Sequence, residues 1–202
     1  MGELVLCLFF FCRVLKRSIR DERTKVLKTR SVKVWARNSQ GIHELKDMQW
    51  RLIPASYAAV PELYDGNTTH ARLETVHEKP AFADCWRRKW RCLFPMTSFS
   101  QTVKAGTSPF GVGRRSGKVA ISRSDGQPLG VAGIYNAIKT SDGTILSAAM
   151  LTRQAGPQMA QFHDREPLII EPGDFIDWLD GSDALDLLTP WADDAFIFTS
   201  AA

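Results

Sequence analysis

The sequence is poor in the residues that build disulfide frameworks, metal sites and nucleotide-binding loops. Its 202 residues include four cysteines, too few for a disulfide scaffold in a chain of this length, so we expect a reducing, cytoplasmic environment. Cys85 and Cys92 lack the short paired spacing of zinc ligands. Gly111 and Gly113 lack the third glycine and the following helix of a phosphate-binding loop. We therefore expect neither a metal nor another cofactor.

Long hydrophobic runs are also scarce. The apolar segment Leu4–Cys12 has nine residues, which is too short to span a bilayer as a helix. Glu3 precedes it and Arg13 follows it, whereas a secretory signal has its basic stretch before the apolar run. We interpret the segment as a buried strand, with a signal-like anchor as the alternative, and expect no membrane association.

The sequence does have an uneven distribution of charge. Residues 1–101 carry 18 Lys and Arg against 10 Asp and Glu, whereas residues 102–202 carry 8 against 12. Within Arg13–Arg37, ten basic side chains face two acidic ones. Because Lys and Arg displace condensed counterions from phosphates, this segment favours a polyanionic partner. The alternative is a solvated basic face.

Short strand-like segments dominate the rest of the chain. They are Val32–Ala36, Ile42–Met48, Cys92–Phe94, Ser98–Val103, Val119–Ser122, Leu129–Ile134, Ile145–Thr152 and Leu168–Ile170. Helices are predicted from Pro80 onward, where Phe82, Trp86 and Trp90 form one apolar stripe, and over Gly156–Phe162 and Pro172–Leu179.

This pattern predicts an α+β fold, because strands outnumber helices and no repeating βαβ unit is present. We expect a curved, mainly antiparallel and barrel-like sheet with a few flanking helices. A single domain would cover residues 1–181, with residues 1–31 as a divergent basic N-terminal segment and residues 182–202 as a peripheral C-terminal tail.

Two runs place ionisable side chains beside predicted strands. The run Phe162–Pro167 has four ionisable side chains between an apolar residue and a proline that rigidifies the loop. A loop of this kind can hold the imidazole of His163 in place for proton transfer near neutral pH; a structural salt-bridge cluster is the alternative. In the second run, Arg72 and Glu74 share one face of an extended segment with His70. Such a charged face indicates either a functional site or a salt-bridge network.

A cysteine-dependent hydrolase is a further possibility, with Cys85 or Cys92 as the nucleophile and His163 as its base. Both cysteines neighbour large apolar residues, so we expect them to be buried and unreactive.

Four sequence blocks, taken in order, are similar to one known family. They are Met48–Pro54, His70–Phe82, Arg91–Gln101 and Phe162–Ile170. Together they resemble the SOS response-associated peptidase (SRAP) family over about Val32 to Leu179. The resemblance implies an SRAP-like fold and a monomeric protein that binds single-stranded DNA with abasic sites, in the cytoplasm or, in a bacterium, on the nucleoid.

In the family, removal of the initiator Met exposes a cysteine whose α-amine and thiol close a thiazolidine ring on the sugar aldehyde. The resemblance assigns catalytic roles and DNA contacts residue by residue. The catalytic positions fall on His163, Gln101 and His70, and the nucleic-acid-binding positions fall on Arg72, Arg165 and Thr152.

The sequence departs from the family at three of the positions that matter. Gly2 stands where the family has Cys, Gln101 where it has Glu, and His70 where it has Asn. An amide cannot exchange a proton at neutral pH. Cys12 is the possible nucleophile. It can act only if cleavage of the chain frees its α-amine, and the same condition applies to Cys7.

Two functions follow from the resemblance. The first is covalent processing of abasic sites, weakened by these substitutions. The second is a non-catalytic single-stranded DNA-binding module on the same fold, in which aromatic side chains of the Tyr57–Tyr64 loop stack on unpaired bases.

Overall fold

The computed structural model describes residues 30–103, 117–182, 191 and 194–201. The predicted strand Leu4–Cys12, the candidate nucleophile Cys12 and most of the basic run Arg13–Arg37 lie outside these residues.

The described residues form eleven strands and three short α-helices. The strands are β1 (Arg30–Arg37), β2 (His43–Trp50), β3 (His70–Arg72), β4 (Arg91–Met96), β5 (Phe99–Val103), β6 (Gly117–Arg123), β7 (Leu129–Thr140), β8 (Gly143–Gln154), β9 (Arg165–Pro167), β10 (Ile169–Ile170) and β11 (Phe196–Ala201). The helices are α1 (Pro80–Arg87), α2 (Pro157–Ala160) and α3 (Phe175–Leu179). Single 3₁₀ turns cover Ala55–Tyr57, Pro61–Leu63, Leu73–Thr75 and Pro172–Asp174.

Five strands close into a barrel-like sheet. Their order is β7, β4, β1, β2 and β8, and β8 pairs back onto β7. These pairings are antiparallel except for the short parallel contact between β2 and β8. The predicted curved and mainly antiparallel sheet is confirmed.

A second, three-stranded sheet consists of β5, β6 and β11. Residues 182–202 are expected from the sequence to form a peripheral tail, yet β11 pairs with β6 over all six of its residues. Phe196 at its start is buried, and its ring lies 5.3 Å from that of Trp191. The described part of this segment therefore belongs to a sheet, because its apolar side chains cover the second core cluster.

Strand alternation divides the core into two clusters. On β1, Trp35 packs in a cluster with side chains of α1 and α3, whereas Val34 and Ala36 pack in a cluster with side chains of the second sheet. Since successive side chains of a strand point to opposite faces, the alternation in the sequence already specifies this division.

The aromatic stripe predicted from Pro80 is wrong at its last member. Helix α1 ends at Arg87, and Lys89 adopts a positive φ of 56°. Left-handed backbone cannot continue a helix. Trp90 therefore lies beyond the helix, where its ring stacks on Tyr135 at 5.6 Å and an interplanar angle of 14°.

The register of three strands brings the ionisable runs of the sequence together. Thr152 on β8 is paired with Arg72 of the parallel strand β3 and with Pro167 of the antiparallel strand β9. Because one residue has a single neighbour on each edge, β8 lies between β3 and β9 at this point.

Candidate functional site

The candidate site begins on one face of β3 and β8. His70 and Arg72 are in register with Met150 and Thr152 of the parallel strand β8. Ala71, between them, is buried in the core on the opposite face. Since alternate residues share a face, the two polar side chains of β3 lie beside Thr152.

Arg72 is the unpaired cation of this face. Its side chain is exposed, and it has no hydrogen bond or ion pair within the described part of the chain. The alternative of a salt-bridge network therefore does not account for Arg72. An exposed guanidinium without an internal counter-charge is available to an anionic ligand.

Glu74 follows Arg72 by two residues in the sequence. The predicted extended segment ends at Arg72, because residues Leu73–Thr75 form a 3₁₀ turn. The Arg165 guanidinium donates two hydrogen bonds to the Glu74 carboxylate, at 2.8 and 2.9 Å, and the backbone N–H of Gln154 donates a third at 3.0 Å. The hydrogen bonds from Arg165 hold the pKa of Glu74 down at about 2, so this carboxylate is ionised at neutral pH.

Arg165 makes a second set of contacts, to Thr152. Its Nη2 donates to the Thr152 carbonyl oxygen at 2.7 Å and lies 3.2 Å from Thr152 Oγ1. Its Nε is buried and has no partner within the described residues. The charge of Arg165 is thus compensated inside the protein, unlike that of Arg72.

His163 lies in the turn before β9, with its side chain 44% exposed. Its Nδ1 lies 2.9 Å from the backbone nitrogen of Arg165 and 2.9 Å from Asp164 Oδ1. Nδ1 must be unprotonated to accept the N–H of Arg165, but must carry a proton to bond the Asp164 carboxylate. The two contacts therefore compete for one nitrogen.

A chain of contacts joins the two halves of the predicted site. His163 contacts the backbone of Arg165, whose guanidinium contacts Thr152, which is in register with Arg72. The structure therefore brings four of the predicted residues into one neighbourhood. The alternative interpretation of Phe162–Pro167 as a salt-bridge cluster is also realised there, because Glu166 pairs with Arg153 at 2.6 Å on the same strands.

His70 is the fifth predicted residue in this neighbourhood. Its ring stands edge-on to Trp50, with centroids 5.6 Å apart, and its Nδ1 lies 3.0 Å from Thr69 Oγ1. Desolvation lowers the pKa of His70 below its ordinary value, so the imidazole is neutral at pH 7. Sequence reasoning did not single out Trp50, although it lies in one of the matching blocks.

Gln101 is the remaining candidate residue within the described ranges. It lies half-buried on β5 in the second sheet, opposite Val119. It shares a face of its strand with Phe99, which packs on the second core cluster. Within the described residues, no hydrogen bond links it to His163 or His70.

The two described cysteines are enclosed by the core. Cys85 is 2% exposed, and burial raises the pKa of its thiol to about 12. Cys92 is fully buried, and burial raises the pKa of its thiol further. Neither is a thiolate at neutral pH, so neither is suited to the hydrolase alternative.

The aromatic loop predicted to contact bases divides into two parts. Tyr64 is buried in a small core cluster with Ile53 and Ile138, whereas Tyr57 remains 37% exposed. The prediction of an accessible aromatic side chain therefore applies to Tyr57, and the placement of Tyr64 argues against a role for its ring in stacking on bases.

An open groove of about 970 Å³ lies beside this loop, at the tip of the β7–β8 hairpin. Arg51, Lys139 and Asp142 are among the residues that line it, and it contains none of the predicted site residues. In the described ranges, no group of three or more His, Cys, Asp or Glu is placed to hold a metal ion. Nor does this part of the chain contain a helix long and apolar enough to cross a membrane.

Comparison with known sequences gives a consistent result. The sequence model of the SOS response associated peptidase (SRAP) family matches residues 14–200. The chain is 29% identical over 129 residues to abasic site processing protein YMR114C of Saccharomyces cerevisiae, covering 62% of this chain and 32% of that protein. It is 27% identical over 143 residues to abasic site processing protein YobE of Bacillus subtilis, covering 70% of this chain and 61% of that protein. The chain thus spans about a third and about three fifths of these two relatives.

Solved structures share the fold. A crystal structure of a Bordetella bronchiseptica protein matches with a TM-score of 0.73 at 22% identity, over 94% of this chain and 95% of the other. A crystal structure of a Bacteroides thetaiotaomicron protein matches with a TM-score of 0.75 at 19% identity, over 96% and 88%. At these identities the likeness establishes the architecture.

Proposed function

We propose, since this chain belongs to the SOS response-associated peptidase family, that it processes abasic sites in single-stranded DNA. The names of its relatives in yeast and Bacillus support the reaction class. The observation that carries the proposal is the unpaired Arg72 guanidinium, which stands in register with Thr152 and is connected through Arg165 to His163.

Arg72 would bind the DNA backbone. A phosphate needs a cation that is exposed and not already neutralised, and Arg72 meets both conditions. The resemblance also implies DNA contacts for Arg165 and Thr152, and these stay predictions. In the structure their polar groups hold each other, so we expect Arg72 to supply most of the affinity of this face.

Covalent capture would require an amine and a thiol on one residue. The amine adds to the aldehyde carbon of the opened sugar, a water molecule leaves as the imine forms, and the thiol then adds to the imine carbon to close the ring. Cys12 would provide both groups after hydrolysis of the Phe11–Cys12 peptide bond. His163 and His70 are the imidazole side chains of the site that can donate or accept hydrogen bonds to the reacting groups.

A denaturing gel tests this proposal. The full chain is incubated with a single-stranded oligonucleotide that contains one abasic site, and with the intact oligonucleotide as a control. We expect a gel-stable band with the abasic strand alone, lost in Cys12→Ala and retained in Cys7→Ala. Loss in Cys7→Ala instead would assign the thiol to Cys7. Absence of both a band and binding would contradict the proposal.

The second candidate function is non-covalent binding of single-stranded DNA. The observation that favours it is the amide of Gln101, which stands where the family has a carboxylate and cannot exchange a proton. Binding without a gel-stable band would support this candidate. A band that appears only in Gln101→Glu would show that the acid is the missing component.

A further inference from the structure

We infer that Glu74 is a positioning residue that, by holding Arg165, fixes the imidazole of His163 with its proton on Nε2. The inference rests on the proposed function only in giving His163 a part in the capture of the abasic sugar. Neither the relatives nor the family resemblance assigns a role to Glu74.

Glu74 first fixes the position of Arg165. Both Nη atoms of the guanidinium donate to the carboxylate, and the carboxylate is itself held by the backbone N–H of Gln154. On its other side the guanidinium is bonded to the Thr152 carbonyl. Bidentate pairs of this kind have a defined geometry, so the first residue of β9 is held against β8.

Arg165 then fixes the imidazole of His163. Its backbone N–H points at Nδ1 from 2.9 Å, and an accepting Nδ1 leaves the proton on Nε2. The competing group is Asp164, whose carboxylate lies 2.9 Å from the same nitrogen and favours a proton there. That pair is largely solvated, with side chains 44% and 84% exposed, and is therefore weak. With Arg165 held in place, the backbone contact prevails.

The two arrangements give His163 different chemistry. With the proton on Nε2, the ring presents a hydrogen-bond donor, which can stabilise the negative charge that develops on the aldehyde oxygen as the amine adds. With the proton on Nδ1, the ring presents a lone pair instead. Glu74, through Arg165, selects the donor form.

The test is the ¹⁵N NMR spectrum of the His163 ring at pH 8, in the wild-type protein and in Glu74→Gln. We expect an unprotonated Nδ1 in the wild type and substantial protonation of Nδ1 in the variant. The rate of covalent capture should fall about tenfold, as for other residues that orient a reactive side chain, while the affinity for the abasic oligonucleotide changes less than twofold. Glu62→Gln, at an exposed glutamate of the Pro61–Leu63 turn, is the matched control.

A double variant separates this effect from simple loss of structure. Removal of the competing carboxylate, in Glu74→Gln with Asp164→Ala, should restore the proton to Nε2 and recover the capture rate. An unchanged tautomer in Glu74→Gln, or the same change in Glu62→Gln, would overturn the inference. If the wild type forms no covalent product with the abasic strand, covalent capture is contradicted, while the tautomer measurement still decides the role of Glu74.

Discussion

The strands on either side of β8 each carry an arginine, and the two differ in their surroundings. Arg72 on β3 is exposed and has no counter-charge among the described residues, whereas Arg165 on β9 is 19% exposed and tied to Glu74 and Thr152. The two guanidinium groups therefore differ in how much of their charge is compensated inside the protein. A guanidinium that is not compensated keeps its charge available to an anionic partner.

Under the proposed function, we expect Arg72 to contribute mainly to affinity and His163 mainly to the covalent chemistry. The largest expected effect is therefore that of His163→Ala, which removes the imidazole while leaving Arg72 intact. We expect covalent capture to slow at least about 100-fold, as when a positioned proton-transfer group is lost, while the affinity for the abasic strand stays within about twofold. Single-turnover gels and fluorescence anisotropy measure the two quantities. Equal losses in both would break the division of roles.

Unfolding in urea compares the two arginines directly. Arg165→Ala removes charged hydrogen bonds to Glu74 and Thr152 and should lower the free energy of unfolding by about 2 kcal/mol. Arg72→Ala removes no internal contact and should change it by less than about 0.5 kcal/mol. Similar losses in the two variants would show that Arg72 has a structural role.

The contrast between Arg165 and Arg72 should also appear in the dependence of protein stability on pH. In the fold the pKa of Glu74 is about 2, below its ordinary value of 4.5, so the unfolded state binds a proton first as the pH falls. The stabilisation by Glu74 is therefore present above about pH 5 and lost towards pH 2. Because the Glu74 side chain is 46% exposed, we expect a contribution of only about 1 kcal/mol.

Unfolding at pH 7 and at pH 3 measures this contribution. The difference in stability between the wild type and Glu74→Gln should shrink by about 0.6 kcal/mol at the lower pH, because part of the contribution remains until the pH falls to about 2. The difference between the wild type and Arg72→Ala should stay constant, because that side chain has no acidic partner. A difference for Glu74→Gln that does not depend on pH would mean that its bond to Arg165 contributes little.

Much of the fold is predictable because strand alternation is local. The face of β1 that carries Val34 and Ala36, and the opposite face with Trp35, follow from period-two patterning. The end of α1 is not visible in that pattern, since it depends on the left-handed backbone of Lys89. Residues 182–202 were expected to be peripheral because no local signal shows that β11 pairs with β6.

In the candidate site, too, the residues that local patterns indicate can be predicted, whereas the contacts that depend on strand pairing cannot. His163, His70 and Arg72 were proposed from residue type, from short patterns and from the family resemblance. The contact between Glu74 and Arg165 joins residues 91 positions apart, so its existence depends on the pairing of β3, β8 and β9. The contrast between the two arginines could not be derived from the sequence, because both have the same charge and both lie near acidic residues along the chain.

The central claim is that Arg72 supplies the larger phosphate contact on this face, and Arg165 the smaller one. The most direct test is the salt dependence of binding to a single-stranded abasic oligonucleotide, measured by anisotropy for the wild type, Arg72→Ala and Arg165→Ala. One lost phosphate contact lowers the slope of log K against log salt by about 0.7 on a single strand. We predict that decrease in Arg72→Ala and a smaller decrease in Arg165→Ala. An unchanged slope in Arg72→Ala, or an equal decrease in both variants, would contradict the claim.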